Sequence, residues 1–320
     1  MFNIYQNKKV LVTGHTGFKG SWLISWLRMI GADVVGISLP ESIVPSLFSS
    51  TSIEDQITDY RIDIRDQKLL KDIILKEKPD FVFHLAAQAL VRKSYFDPIL
   101  TWDTNLMGTV NLLNALRFVD KPCSATIITS DKCYDNVEWV WGYREHDKLG
   151  GPDPYSASKG AAELAINSFI KSFFSDEKSN VAICSARAGN VIGGGDWSED
   201  RIIPDCVKAW SADEKVILRN PSSTRPWQHV LEPICGYLRL GSKLYQEKSI
   251  HGNAFNFGPN SNDDKSVLDI VKGMSNHWKN VVWDIEEDTS GFYESGLLKL
   301  NCDKARSLLG WHAFLDFDND

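Results

Sequence analysis

The sequence predicts an α/β protein with a doubly wound parallel sheet and a smaller, loop-rich C-terminal lobe, and three observations support this prediction. Over roughly the first 185 residues, short apolar runs alternate with helical patterns, which is typical of βαβ units. The runs "KVLVT" and "FVFHL" do not alternate with polar residues, as expected of parallel strands that are buried on both faces. After residue 190, Gly, Pro, Asp and Trp cluster in "GGGDWSEDRIIPD" and "RNPSSTRPWQH", which favours loops.

The predicted strands and helices follow one another in a regular order. Strands are predicted at Lys9–Thr13, Asp33–Ser38, Phe81–Leu85, Ser124–Thr129 and Val181–Arg187, with a weaker strand that ends at Asp63. Helices are predicted between them at Gly20–Ile30, Gln67–Lys76, Ile99–Val119 and Tyr155–Phe174. We expect a first domain over residues 1–188, a later return of the chain to it near 226–258, and a lobe over residues 189–320 that binds ligand at the carboxyl edge of the sheet.

Composition and charge exclude several classes of protein. The chain has 320 residues, a formal net charge of -7 and a pI near 5.6, so we expect no nucleic-acid partner. Six scattered cysteines without a C-x-x-C pair suit a reducing cytosol. No apolar run approaches the ~20 residues of a membrane span, so we expect a cytoplasmic protein without a membrane partner. His84 lies in an apolar run and shares no ligand spacing with the other histidines, so no metal site is predicted.

A glycine triplet directly follows the first predicted strand. Gly14, Gly17 and Gly20 stand in "VLVTGHTGFKGSWL", where residues without a Cβ let backbone N–H groups approach a pyrophosphate at a helix N-terminus. The alternative interpretation of the glycine triplet is a tight strand-to-helix turn that binds no ligand. Because strand, loop and helix occur together as the first element, the pattern favours a dinucleotide site of the Rossmann type.

The end of the second strand departs from the usual dinucleotide pattern. An acidic residue should end that strand and bind the adenosine ribose. Here the sequence reads "VVGISLPES", in which Glu41 comes late and follows Pro40, and no arginine replaces it. We therefore predict NAD as the cofactor and leave NADP open. Asp63, at the end of the third strand, is expected to reach the adenine.

Tyr155 and Lys159 are four residues apart at the start of a well-patterned helix. Residues i and i+4 share a helix face, and a lysine there can lower the pKa of a phenol from ~10 and hold ribose hydroxyls. Such a phenol can remove a proton from an alcohol. Tyr5 and Lys9 have the same spacing but lie on no predicted helix. The alternative for Tyr155 and Lys159 is a solvated helix face.

An acid and a base stand side by side in "TSDKCY". Ser130, Asp131 and Lys132 follow a buried strand, and the end of such a strand places side chains at the carboxyl edge of the sheet. The alternative is a surface ion pair at a strand end. Cys133 could serve as a nucleophile, but no known nucleophile motif surrounds it.

Several motifs together resemble a known family. "TGHTGFKG", "DIRD", "HLAAQ", "TNLMGTVNLL", "TSDKCY" and "YSASK" run in the order found in extended short-chain dehydrogenases/reductases, over nearly the whole chain. The longer stretches "GHTGFKGSWL", "RAGNVIGGGDW" and "RPWQHVLEP" resemble those of nucleotide-sugar 4,6-dehydratases, in particular the branch that acts on CDP-glucose.

That resemblance implies a hydro-lyase reaction. NAD takes hydride from carbon 4 of the glucosyl unit while Tyr155 removes the hydroxyl proton, water is eliminated across carbons 5 and 6, and the hydride returns to carbon 6. Asp131 matches the acid for the carbon 6 hydroxyl, and Ser130 matches the hydroxyl that bonds oxygen 4. Lys132 occupies the slot where dTDP-glucose dehydratases carry a glutamate base. The product is CDP-4-keto-6-deoxyglucose.

The resemblance also implies the binding residues. For the cofactor these are Gly14, Thr16, Gly17, Phe18, Lys19, Gly20, Asp63, Ile64, Leu85, Ala86, Ala87, Gln88, Asn105, Thr129, Tyr155 and Lys159. For the nucleotide sugar they are Asn190, Arg201, Arg219 and Arg225. Arg225 would clamp the diphosphate, whereas Arg201 and Arg219 fit plain surface charges equally well.

Partners and pathway follow from the same resemblance. It implies a homodimer in which the helices Ile99–Val119 and Tyr155–Phe174 of both subunits form a four-helix contact, with a tetramer left open. It also implies a role in the synthesis of a 3,6-dideoxyhexose for a bacterial surface polysaccharide such as a lipopolysaccharide O-antigen. Relatives continue past "LLGWH", so a C-terminally truncated lobe is expected. The alternatives are another dehydratase or an epimerase for dTDP-, GDP- or UDP-sugars, and a non-catalytic NAD(P)-sensing protein.

Overall fold

Seven parallel strands form the central sheet in a computed structural model of the chain, which describes residues 2–41, 45–175, 179–259, 265–286, 291–293 and 295–315. The strands of the described residues, inside and outside this sheet, are β1 (Lys9–Thr13), β2 (Asp33–Ser38), β3 (Thr58–Arg61), β4 (Phe81–His84), β5 (Cys123–Ile128), β6 (Val181–Ala188), β7 (Val191–Ile192), β8 (Val216–Leu218), β9 (Thr224–Arg225), β10 (Gln228–His229), β11 (Ala254–Phe257), β12 (Lys265–Ser266) and β13 (Trp283–Ile285). The sheet order is β3-β2-β1-β4-β5-β6-β11. The strand order reverses between β1 and β4, which is where open α/β sheets bind ligands.

Helices cover both faces of this sheet. They are α1 (Phe18–Met29), α2 (Leu47–Ser50), α3 (Gln67–Glu77), α4 (Val91–Phe96), α5 (Pro98–Trp102), α6 (Gly108–Leu116), α7 (Pro154–Phe169), α8 (Ile202–Ser211), α9 (Leu231–Gln246), α10 (Val267–Ser275) and α11 (Asp303–Leu309). One apolar cluster joins the sheet to α1 and α9, and a second joins it to α3, α6 and α7. The predicted doubly wound parallel sheet is therefore confirmed.

Several predicted boundaries were wrong by a few residues. β3 ends at Arg61, so Asp63 lies two residues beyond the strand. The long helix predicted over Ile99–Val119 is divided into α5, a π-helical turn at Asp103–Met107 and α6. The short helix α4 was not predicted, because its six residues are too few to show a helical period.

The chain after residue 188 contributes to the sheet as well as to a separate cluster. β11 pairs with β6, and α9 packs against β5, where Ser124 donates a hydrogen bond to the carbonyl of Gly241 (3.1 Å). A smaller apolar cluster lies outside the sheet and is formed by Cys206, Trp210, Val216, Leu218 and Val271.

The C-terminal segment packs back onto the sheet region. Trp311 is buried against Phe257, with ring centroids 5.0 Å apart. The C-terminal stretch "GWHAFLDFDND", for which a truncated lobe was predicted, is described only in part: residues 316–320 lie outside the described residues. Among the residues that the structure does describe, none belongs to a helix long and apolar enough to cross a membrane.

Candidate active site

A cavity of about 740 Å³ runs along the carboxyl edge of the sheet, between the sheet and the residues that follow β6. It is lined by the glycine loop, by the residues after β2, β4 and β5, and by the start of α7. Opposite them lie the loop 189–205 and residues 217–220 and 225. Apart from Asn105, the predicted cofactor and substrate residues therefore line one common cavity.

The glycine loop fits a close approach of backbone to a ligand. Gly14 has a φ of +74°, and a Cβ there would come within 2.7 Å of the backbone nitrogen of Ala86. A Cβ on Gly20 would overlap the carbonyl oxygen of Gly14. Gly17 is the N-cap of α1, and no described side chain caps this helix end. Its free N–H groups and positive dipole are suited to a pyrophosphate.

Lys19 brings a positive charge into the same space. Burial, with smaller contributions from Arg201 and Lys159, lowers the pKa of Lys19 to about 8, whereas Asp131 and Asp196 act in the opposite direction. Lys19 lines the same cavity as the Ser130–Lys132 turn. Thr16 lies one turn away and hydrogen-bonds the hydroxyl of Ser38 (2.8 Å), which ties the loop to the end of β2.

The end of the cavity beside β2 and β3 carries a charge cluster. Glu41 lines the cavity and accepts a hydrogen bond from Arg61 Nη1 (2.9 Å), whose Nε is bound to Asp59 (2.8 Å). Arg61 is paired with Ser38 in the β2–β3 register, so an arginine does lie beside the end of β2. Because the guanidinium nitrogens of Arg61 already bind carboxylates, Arg61 is not available for a bidentate interaction with a 2'-phosphate.

Asp63, Ile64 and Arg65 line the cavity beyond β3. Arg65 holds the Asp63 carboxylate (Nη2 to Oδ2, 2.6 Å) and lowers the pKa of Asp63 below its usual value. Asp63 thus lines the cavity although β3 ends before it, and its contact with adenine stays a prediction.

Leu85, Ala86, Ala87 and Gln88 also line the cavity, but Asn105 does not. Asn105 is buried, with its Oδ1 accepting from the Gln88 nitrogen (2.9 Å) and its Nδ2 donating to Gln88 O (3.1 Å) and Ser158 Oγ (2.9 Å). The assignment of Asn105 to direct cofactor binding is therefore corrected. The side-chain amide of Asn105 is engaged in these hydrogen bonds, which connect the loop after β4 to α7.

Ser130, Asp131 and Lys132 form a tight turn at the end of β5. Ser130 is the N-cap of a 3₁₀ turn over Asp131–Cys133, and its hydroxyl donates to Asp131 Oδ1 (2.9 Å). Asp131 is only 2% exposed, and its Oδ2 has no hydrogen-bond partner among the described residues. A buried carboxylate oxygen without a partner is costly in a fold, and such groups concentrate at functional sites.

Tyr155 and Lys159 lie on the buried face of α7 and line the cavity. Burial, with a smaller contribution from Asp131, raises the pKa of Tyr155 to about 12, and Ser130 acts in the opposite direction. Burial lowers the pKa of Lys159 to about 8 against the opposing effects of Cys133 and Glu163. For the Tyr155 phenol, burial therefore outweighs the groups that lower its pKa, which include Ser130 and Arg201.

The four predicted substrate residues all line the cavity: Asn190, Arg201, Arg219 and Arg225. Arg225 is buried on β9, and its Nη1 donates to the carbonyl of Thr224 (2.8 Å). Arg201 and Arg219 are half-buried and form ion pairs with Asp196 (3.3 Å) and Asp200 (2.9 Å).

The tryptophans of "NVEWVWGYRE" do not line the cavity. Trp139 stacks on Tyr143 with ring centroids 5.2 Å apart, and Trp141 is 69% exposed. From this segment Asn136 lines the cavity instead.

Sequence reasoning missed a buried ion pair behind the site. Glu163 and Arg187 are paired at 2.7 Å with both side chains 4% exposed. The sequence did indicate that Glu163 lies near the site, because Glu163 follows Lys159 by four residues and so shares its helix face. In the described part of the chain, no group of three or more His, Cys, Asp or Glu side chains is placed to hold a metal ion.

Comparisons with known proteins agree with this geometry. The family described as GDP-mannose 4,6 dehydratase matches residues 11–319. A curated CDP-glucose 4,6-dehydratase from Salmonella typhimurium is 49% identical over 313 residues, which covers 97% of this chain and 87% of that protein. The chain thus belongs to the GDP-mannose 4,6-dehydratase family of extended short-chain dehydrogenases/reductases. Within that family it is a homologue of CDP-glucose 4,6-dehydratase.

Solved structures share the fold. UDP-glucose 4-epimerase from Thermotoga maritima, crystallised with UDP-glucose, has a TM-score of 0.82 at 21% identity and covers 97% of this chain and 95% of its own. A dTDP-glucose 4,6-dehydratase from Streptomyces venezuelae, crystallised with NAD, also has a TM-score of 0.82 at 19% identity, with coverage of 97% and 93%.

Proposed function

We propose that this protein is an NAD-dependent hydro-lyase that converts CDP-glucose to CDP-4-keto-6-deoxyglucose and water. One observation carries the proposal: a buried acid, Asp131, adjoins Lys132 and accepts a hydrogen bond from Ser130, and all three residues line one cavity together with Tyr155. Oxidation of an alcohol needs the phenol, and elimination of water needs the acid and a base. The 49% identity to a CDP-glucose 4,6-dehydratase supports CDP-glucose as the substrate.

The residues present fit NAD. The pyrophosphate would lie against the N-terminus of α1 and the loop of Gly14 to Gly20, with Thr16, Phe18 and Lys19 around it, and the nicotinamide ribose would lie beside Tyr155 and Lys159. Bound NAD supplies the chemistry that these side chains lack, because it can accept hydride from carbon 4 and return it to carbon 6.

The first step depends on Tyr155, Lys159 and Ser130. Tyr155 removes the proton of the 4-hydroxyl while Ser130, which lines the same cavity, holds oxygen 4. A phenol with a pKa raised by burial is a poor base at neutral pH, so Lys159 must remain protonated to stabilise the phenolate. Burial works against that charge too, and Glu163 one turn further on helps to keep it.

The elimination depends on Asp131 and Lys132. The 4-ketone acidifies the proton on carbon 5, Lys132 removes it, and Asp131 protonates the departing 6-hydroxyl. Lys132 lines the cavity and is half-buried, and no carboxylate forms an ion pair with it in the part of the chain that the structure describes.

The nucleotide sugar would be held from the side opposite the glycine loop. Asn190, Arg201, Arg219 and Arg225 surround this part of the cavity, and the planar guanidinium of buried Arg225 suits a diphosphate. We assign residues 189–320 mainly to this substrate lobe and residues 1–188 to the cofactor domain. An epimerase would not need Asp131 and Lys132, and an NAD(P) sensor would need neither this pair nor Tyr155.

A direct assay tests the proposal. Purified protein is incubated with NAD⁺ and, in separate reactions, with CDP-glucose, UDP-glucose and dTDP-glucose, and the alkali-induced near-ultraviolet absorbance of a 4-keto-6-deoxy sugar is recorded. We expect product from CDP-glucose alone. Product from another nucleotide sugar would contradict the base preference, and no product from any of them, with NAD⁺ still bound, would favour the sensor.

The cluster around Glu41 predicts a preference for NAD over NADP. Glu41 would accept a hydrogen bond from the 2'-hydroxyl of the adenosine ribose and repel a 2'-phosphate. Arg61 would not offset this repulsion, because it is already shared between Glu41 and Asp59. We expect Glu41→Gln to weaken NAD⁺ binding about 10-fold and to strengthen NADP⁺ binding. Fluorescence titration with both cofactors measures this.

Glu54→Gln is the matched control for that change. Glu54 also faces Arg61 (3.6 Å), but it is largely exposed and does not line the cavity. It should leave both affinities unchanged. An unchanged ratio of NAD⁺ to NADP⁺ affinity in Glu41→Gln would exclude this role for Glu41.

We further propose a homodimer through α5–α6 and α7. These neighbouring helices expose Ile99, Trp102, Met107, Leu164 and Phe173. Light scattering should give twice the 36.0 kDa mass of the chain, and Leu164→Glu should give the monomer. Met29→Glu, at the exposed last residue of α1, is the control and should stay dimeric. A monomeric wild-type protein, or a dimeric Leu164→Glu, would contradict this interface.

The cellular role completes the proposal. All six cysteines are free thiols, which suits a cytoplasmic protein. The 4-keto-6-deoxy product is activated for further reactions next to the ketone, so we propose that it feeds deoxyhexose synthesis for a surface polysaccharide.

A further inference from the structure

A network of buried side chains surrounds the turn that carries Asp131 and Lys132. The residue before the turn, Thr129, donates its hydroxyl proton to Glu163 Oε1. Cys133 closes the turn, and the hydroxyl of the next residue, Tyr134, accepts a hydrogen bond from Arg187 Nη1 (2.8 Å). Both ends of the turn are thereby tied to the Glu163–Arg187 ion pair.

The ion pair itself spans two elements. Glu163 lies on α7 and Arg187 on β6, and Arg187 Nη2 donates to Glu163 Oε2 at 2.7 Å. Ser185, also on β6, donates to the same carboxylate (2.9 Å). Burial raises the pKa of Glu163, but Arg187 and these hydroxyls more than offset it, so the pKa lies below its usual value and the carboxylate stays ionised.

The network continues on the far side of the turn. The Tyr134 hydroxyl donates to Asn256 Oδ1 (2.7 Å) on β11, and Asn256 Nδ2 donates to the carbonyl of Tyr143 (2.8 Å). Arg187 also donates to the carbonyl of Glu145 (3.0 Å). The turn is therefore fixed between α7 and the last strand of the sheet.

We propose that Glu163 and Arg187, with Thr129 and Tyr134, form a positioning bracket that sets the distance between the Ser130–Lys132 turn and the Tyr155–Lys159 face of α7. The proton-transfer groups for oxidation lie on α7, and those for elimination lie on the turn. Both sets must reach adjacent carbons of one sugar ring, so their relative placement limits the rate. The bracket does not line the cavity except at Thr129 and Tyr134.

The bracket is not explained by stability alone. A buried ion pair is often no more stabilising than apolar residues of the same shape, so stability does not require one here. Its position does suit a second effect, because Glu163 is one turn from Lys159 and raises the pKa of that ammonium. The other titratable groups that interact with Lys159 are Cys133, His84 on β4 and Lys19 on α1.

Glu163→Gln tests the bracket, which rests on the proposed dehydratase function. We expect kcat to fall about 10- to 100-fold while KM for CDP-glucose changes less than about 3-fold. The alkaline limb of the pH profile of kcat should move to lower pH, because Lys159 loses its proton earlier without Glu163. Glu77→Gln is the control: it breaks the Lys9–Glu77 pair (2.9 Å), away from the cavity, and should change neither quantity.

A milder variant guards against loss of folding, since breaking a buried ion pair is costly. Tyr134→Phe removes one hydroxyl from the bracket and should lower kcat about 10-fold, with Tyr60→Phe, which contacts Glu77 (2.6 Å), as its control. If wild-type protein turns over CDP-glucose and the folded variants match it in kcat and pH profile, the bracket is refuted.

Crystal structures provide a readout that does not depend on turnover. We expect the Asp131 to Tyr155 Cα distance to change in Glu163→Gln relative to wild type, and an unmoved turn would overturn the proposal. Absence of turnover in wild-type protein would instead refute the dehydratase function, and the two failures are thus distinguishable.

Discussion

Tyr155→Phe should reduce turnover of CDP-glucose by roughly 10²–10⁴-fold, the range expected for loss of a general acid–base group. The substitution removes one oxygen from a buried side chain that keeps its other contacts, so folding should be preserved. Because the phenol acts before any other proton transfer, no part of the reaction should proceed. Neither the 4-keto-6-deoxy product nor the near-ultraviolet absorbance of reduced cofactor should appear on mixing enzyme, NAD⁺ and substrate.

Tyr245→Phe controls for the general effect of losing a tyrosine hydroxyl. Tyr245 lies on α9, packs against Phe81 with ring centroids 4.6 Å apart, and does not line the cavity. Its variant should keep wild-type turnover. Near wild-type reduction of the cofactor by Tyr155→Phe would show that another group removes the 4-hydroxyl proton.

The sheet and the glycine loop were predictable because their signals are local. A strand buried on both faces must be apolar throughout, and a loop that approaches a pyrophosphate must lack Cβ atoms, as Gly14 and Gly20 show. Tyr155 and Lys159 were predictable from spacing on a helix. The end of β3 was not, because polar residues such as Asp59 and Arg61 lie in that strand and pair with one another rather than forming an apolar run.

The remaining features depend on contacts between distant parts of the chain. The sequence did not indicate an arginine near the end of β2, since only the β2–β3 register brings Arg61 beside Ser38. Arg187 ends a strand in the sequence, and nothing nearby indicates that its partner is Glu163. The exposed position of Trp141 was equally hidden, because a tryptophan-rich segment predicts burial unless its packing is known.

Asp131→Asn should separate the two halves of the reaction. Asparagine has the same shape but cannot protonate the 6-hydroxyl, so product formation should fall roughly 10²–10⁴-fold. Tyr155, Lys159 and Ser130 remain, and Ser130 can still donate to the amide oxygen. Oxidation at carbon 4 should therefore continue, and absorbance of reduced cofactor should build up and persist. Loss of both signals would mean that Asp131 is needed for the first step as well.

Stability gives a second expectation for the same variant. Asp131 is buried with one carboxylate oxygen that has no hydrogen-bond partner in the described residues, a situation that costs roughly 1–3 kcal/mol. A neutral amide is cheaper to bury, so the melting temperature of Asp131→Asn should equal or exceed that of wild type. Asp66→Asn is the control, because Asp66 caps α3 (2.9 Å to the Leu69 nitrogen) and asparagine caps equally well. A lower melting temperature for Asp131→Asn, with Asp66→Asn unchanged, would show that the Asp131 carboxylate stabilises the fold. A higher melting temperature together with lost turnover would show that the fold tolerates an unfavourable buried carboxylate because the elimination requires it.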